Sequence, residues 1–221
     1  MFTMESTIKV VGTGNIHVVP DVTRLEISIS RVFKTYEETY AAAKENSAQM
    51  VKILEYNHQS GKLAKTIRMD INEHTESIYK GGNYAGSKKD GYELKQHIKV
   101  DLGMDNMLVN NIIKGVGKFI PSAQISIGYT QKDPRPTQLK MLERAVKDAH
   151  DKAEIMAKAA GCQLGEVSEI EYGEMEVHIC SQAREIHCAE EAVSCTPNSL
   201  DITPDDLVVS DNVNVVWKLK K

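Results

Sequence analysis

The chain has 221 residues, with 41% apolar and 26% charged side chains and a formal net charge of -4. That length can bury a substantial core in one large domain or two small ones. The slight negative charge, with a pI near 6.0, removes the global attraction to polyanions, so no nucleic-acid partner is expected.

No apolar run approaches the roughly 18 residues of a membrane span. The opening MFTMESTIKV lacks the basic and then apolar plan of a secretory signal. As written the chain reads as cytoplasmic and soluble, the alternative being a periplasmic or exported protein whose leader has been removed.

The first element is VVGTGNIHVVPD, residues 10–21. Its Gly12 and Gly14 suggest a phosphate-binding loop, but His17 stands where the dinucleotide fingerprint needs its third glycine. Ile16, Val18, Val19 and Pro20 oppose the helix such a loop would open. The segment therefore reads as a strand that its glycines kink or bulge, with no nucleotide bound.

Period-two alternation then marks a strand at Leu25, Ile27 and Ile29, and three- and four-residue spacing marks a helix through Tyr36, Tyr40, Ala43, Ser47, Met50 and Leu54. Alternation returns at Ile67, Met69 and Ile71 and at Tyr92, Leu94, Ile98, Val100 and Leu102. A second helix is expected over about 104–118, using Leu108, Ile112 and Val116, followed by a strand at Ile125, Ile127 and Tyr129. The third helix, Thr137 to Ala160, puts Leu139, Leu142, Val146, Ala149, Ala153, Met156 and Ala160 on one face and ends at Gly161.

Residues 174–206 have no sustained period and read as a long loop or excursion. A last strand carries Val213, Val215, Trp217 and Leu219. The order predicts an α+β fold: a mixed, largely antiparallel sheet packed by three helices, with the irregular segment before the last strand. No linker composition divides the chain, so residues 6–221 are expected to form a single domain.

Taken together, several landmarks resemble the SIMPL-domain family. They are Val-x-Gly-x-Gly followed by Pro20-Asp21 and an alternating strand, GGNYAGSKKDGYELKQHIKV, the helix ERAVKDAHDKAEIMAKAAGCQLGEV, and the closing ITPDDLVVSDNVNVVWKLK. The resemblance covers about residues 8 to 219. It implies an α+β fold, a tendency toward export in bacteria, and links to stress tolerance and protein interaction, and it brings no catalytic residues.

Candidate chemistry concentrates in His178, Cys180, His187, Cys188 and Cys195, ligand types suited to tetrahedral zinc. Their gaps do not match the tight two- to four-residue spacing of zinc knuckles. They are expected to be unliganded loop residues, with free thiols, no metal and no cofactor. A metal-binding sensor or enzyme built on residues 178–195 is the alternative.

His187 and Cys188 are neighbours in sequence, but they point apart in an extended chain and make no nucleophile–base pair. No Gly-x-Ser-x-Gly elbow supports a serine triad. The acidic pairs Glu37-Glu38, Glu190-Glu191 and Asp205-Asp206 fall in helix-start, loop and turn contexts. Lys88 and Lys89 are expected in a solvated Gly-rich turn. Tyr79, Tyr84 and Tyr92 are expected to cover a sheet edge, or else to form a contact surface.

These observations predict a non-catalytic interaction or scaffold protein. It works as a homo-oligomer, with a further protein partner open. The alanine face of the third helix and the unprotected strand at 22–32 are the candidate contacts.

Overall fold

The computed structural model describes residues 6–173, 184–186 and 206–220. Along the chain run β1 (Thr7–Val18), β2 (Val22–Phe33), α1 (Tyr36–Tyr56), β3 (Ala64–Lys80), β4 (Asn83–Gly103) and α2 (Asn106–Phe119). They are followed by β5 (Ala123–Thr130), α3 (Arg135–Ala159), β6 (Gln163–Glu171), β7 (Arg184–Ile186) and β8 (Leu207–Lys220).

The fold is α+β, and every ladder among the described residues is antiparallel. In place of one mixed sheet there are two, ordered β1-β8-β6 and β3-β4-β2-β5-β7. Two compact units follow from them. One takes the described residues of Met1–Pro20, Gln131–Cys180 and Asp205–Lys221, the other those of Asp21–Thr130 and Ser181–Pro204. Two of the crossings between units are the short connections from β1 to β2 and from β5 to α3, where no spacer is left for composition to reveal. Within 174–206, expected to be one long loop, the three residues of β7 form a strand on β5.

In the five-stranded unit, β2 lies between β4 and β5. The strand without proline or lysine is therefore interior, and its edges are covered. Leu25, Ile27 and Ile29 of β2, with Ile98 and Val100 of β4 and Ile125 of β5, meet Met50 and Leu54 of α1 and Ile112 of α2 in one core. Each such side chain contributes about 1.5–3 kcal/mol when fully buried.

α1 begins with a capping box, in which Thr35 Oγ1 accepts from the Glu38 amide and the Glu38 carboxylate accepts from the Thr35 amide, both at 3.2 Å. Its buried face keeps the expected Ala43, Met50 and Leu54 and differs from expectation at its N-terminal end. Tyr36 and Tyr40 are exposed, while Thr39 and Asn46 are buried beside Ala43, Met50, Ile53 and Leu54. A fully buried Gln96 on β4 makes this possible. Asn46 Nδ2 donates to Gln96 Oε1 at 3.2 Å, and Gln96 Nε2 donates to Ser47 Oγ at 2.9 Å and to the Ala43 carbonyl at 3.2 Å. The amide pair is thus satisfied out of water, where an unpaired polar group would be costly.

The alternation in β3 is real, but Ile67 and Met69 are exposed. β3 is an edge strand, and a register shift between Thr66 and Arg68 takes Ile67 out of the ladder.

In the other unit α3 packs on β1 and β8, burying Met141, Ala145, Ala149, Ala153 and Ala157. Leu139 and Met156, expected on that face, are 60% and 51% exposed. The reason lies in β1. A Cβ at Gly12 would stand 2.0 Å from the Ala145 carbonyl oxygen, and one at Gly14 2.0 Å from that of Met141.

Helix backbone therefore rests directly on strand backbone, and only small residues fill the seam. The β1–β8 register runs unbroken from Thr7↔Lys218 to Val18↔Leu207. The glycines neither kink nor bulge the strand, contrary to expectation; they seat a helix. That helix occupies the space a nucleotide phosphate would need above them.

Candidate interaction surface

An unpaired strand edge presents free amides and carbonyls to any neighbouring chain, so the state of each edge decides where pairing can occur. β1 is an edge strand, yet side chains of α3 take up three of its outward backbone groups. The Thr13 amide donates to Asp148 Oδ2 at 2.8 Å, Arg144 Nη1 donates to the Asn15 carbonyl at 2.8 Å, and Lys152 Nζ donates to the Val11 carbonyl at 3.3 Å.

These three side chains recur every fourth residue, beside the alanine stripe. Lys152 also pairs with Asp148 at 2.6 Å. That ion pair, together with the Thr13 amide, holds the Asp148 carboxyl below its usual range. β7 covers β5 along Ile125–Ile127, and β6 carries exposed Glu166, Glu169 and Glu171.

The β3–β4 hairpin is different. The β2 ladder on β4 ends at Phe33↔Tyr92, whereas β3 and β4 pair on to Lys80↔Asn83. Among the described residues, 83–91 are therefore paired on one side only, a reach of up to about 27 Å at the usual strand rise. The hairpin closes through Gly81 and Gly82, at φ 59° and 84°. Two successive left-handed residues make the tight turn that matches strand twist.

The base of this arm is braced. Lys34 Nζ lies 2.8 Å from Asp90 Oδ1, Lys89 pairs with Glu73 and lies 4.4 Å over the Tyr92 ring, and Tyr92 meets Tyr36 edge-on at 5.8 Å. Lys34 holds the Asp90 carboxyl below its ordinary value. Glu73, and after it Tyr92, hold the Lys89 ammonium above its own.

Near the turn Tyr79 and Tyr84 form a T-shaped pair at 6.1 Å, 65% and 63% exposed, with Ile78 also exposed. Of the three tyrosines, then, Tyr92 packs at the base, while Tyr79 and Tyr84 stand exposed near the tip. Lys88 and Lys89 belong to β4, not to the turn.

His178, Cys180, His187, Cys188 and Cys195 lie outside the described residues. Among the described residues no group of three or more His, Cys, Asp or Glu is placed to hold a metal. The described Cys162 is a free, half-buried thiol. His97 Nδ1 shares a hydrogen bond with Ser28 Oγ at 2.9 Å across the β2–β4 ladder. No helix among the described residues is long and apolar enough to cross a membrane.

Sequence reasoning missed both the arm and the Arg144-Asp148-Lys152 brace. The available signals were the unusual length of the alternation either side of Gly81-Gly82 and the four-residue charge spacing on α3.

The family model for SIMPL, described as a protein of unknown function (DUF541), matches residues 8–217. The chain belongs to the SIMPL family. The SIMPL match begins in β1 and ends in β8, so it takes in all of one unit and nearly all of the other. The landmarks that suggested SIMPL fall on the glycine seat for α3, the turn of the arm, the alanine face, and the Gly161 cap at φ 72°. No curated protein sequence matches this SIMPL chain.

Proposed function

We propose that this SIMPL protein is a non-catalytic interaction or scaffold protein that works as a homo-oligomer. Its place would be in the bacterial stress tolerance that the family resemblance implies. One observation carries the reading: the braced two-stranded arm, with open ladder edges and an exposed tyrosine pair near its tip.

An isolated hairpin is marginal in water, so an arm of this length gains from a third strand or an apolar cover. The other edges favour the same choice, since α3 takes up three outward groups of β1, β7 pairs along Ile125–Ile127 of β5, and β6 is acidic. The alanine face is buried against β1 and supplies no contact for assembly.

The test is light scattering coupled to size exclusion at micromolar protein. The expected result is a multiple of 24.6 kDa that Tyr79→Ser with Tyr84→Ser shifts toward the single chain. One species near 24.6 kDa across a hundredfold dilution overturns the oligomer.

A further inference from the structure

The groove between α1 and α2, of about 800 Å3, is lined by Lys52, Lys114 and Lys118. No carboxylate lines it among the described residues, and the chain as a whole is acidic. Its floor is a close helix contact, where a Cβ at Gly115 would lie 2.9 Å from Ile53 Cγ2. That approach brings lysines of two helices to one cleft.

Lys114 and Lys118 are like charges four residues apart, an arrangement that destabilises a helix. Lys118, in the last turn of α2 and 5.2 Å from the Phe119 ring centroid, is favoured there by the helix dipole. Lys52 and Lys114 have no such reason, and none of the three makes an ion pair among the described residues. Asn111 adds an amide donor to the lining, whereas Asn57 Nδ2 already donates to the Ile53 carbonyl at 2.8 Å, and Tyr56 and Phe119 put exposed rings on it.

We propose that this groove binds a small polyphosphorylated ligand carrying an aromatic ring. The lysines would neutralise the phosphates as point charges, and the rings would hold the planar part. The volume suits a ligand of that size, since small-molecule sites span roughly 300–1,000 Å3, and lysine is an established phosphate partner. An anion bridging the two helices relieves the repulsion that the free groove carries.

The experiment titrates the full chain at low salt with tripolyphosphate and, separately, with adenosine triphosphate, following melting temperature and heat of binding. Saturable stabilisation by both is expected, with the nucleotide tighter, each weakened tenfold or more by Lys52→Gln with Lys114→Gln. Raising salt weakens both, and Lys147→Gln, on α3, leaves both unchanged. Equal affinity for the two probes overturns the role of the rings. Absence of saturable binding, or binding that survives the double variant, overturns the site. Binding of an acidic peptide but of neither probe overturns the ligand class.

Discussion

Replacing Gly12 with alanine tests the central packing argument, because one methyl group is added where two backbones touch. The new Cβ would stand 2.0 Å from the Ala145 carbonyl oxygen and 2.6 Å from Ala149 Cβ. Real contacts of this kind lie above 3.0 Å, so α3 must retreat by at least about 1 Å. A gap of that size forfeits a quarter to a half of each affected dispersion contact. The seam it opens includes Val10, Ala145, Ala149, Val213, Val215 and Trp217.

Overpacking typically costs about 1–3 kcal/mol, and backbone that cannot change rotamer puts this case near about 3 kcal/mol. For a chain of this length that is a fall in Tm of about 6–12 °C. Gly103→Ala is the control. Nothing lies within 4 Å of its added Cβ, and its effect should stay within about 0.5 kcal/mol. Scanning calorimetry of both variants decides the matter. A Gly12→Ala protein that melts with the parent refutes the direct seating of α3 on β1.

Two further outcomes follow from the same unit. Asp148→Asn should lower stability at neutral pH by about 1 kcal/mol, a charged hydrogen bond discounted for solvent screening. Because Lys152 and the Thr13 amide hold the folded carboxyl below its unfolded value, that contribution is complete above about pH 4 and is lost as pH falls through the folded value. The Tm difference between parent and variant, measured from pH 7 to pH 3, should therefore narrow only at the acid end; a constant gap refutes the ion-pair account. Deleting residues 207–221 removes the central strand of the β1-β8-β6 sheet, and with it Val213, Val215 and Trp217. Loss of the soluble cooperative fold is expected if residues 6–221 act as one body, and a truncated chain that stays soluble and melts cooperatively refutes that expectation.

The order of strands and helices was legible in the sequence because apolar periodicity is a local property. Leu25, Ile27 and Ile29 alternate in the sequence and are buried on one face, and Gly161 caps the helix it follows. The capping box at Thr35 and Glu38 is equally local. Which face of a helix is buried was local only in part: Ala43, Met50, Leu54, Ile112, Val116, Ala149 and Ala153 are buried as the spacing predicts, and other positions are not. Periodicity counts apolar side chains, so it chose Leu139 and Met156 over Ala145 and Ala157, and Tyr36 and Tyr40 over Thr39 and Asn46.

The actual faces depend on residues more than 40 positions away. Gly12 and Gly14 admit only a small-residue face, and Gln96 supplies the partner that lets Asn46 be buried. Sheet membership and edge protection are likewise tertiary. A strand's alternation does not say which neighbour it finds, and Asp148 blocks the β1 edge only because α3 lies against it. Sequence alone determined the apolar content of the elements and the position of all the described ones but β7. The tertiary structure decided their partners, their buried faces and the arm left open among the described residues, because close approach and hydrogen-bond satisfaction are properties of pairs of segments and not of either segment alone.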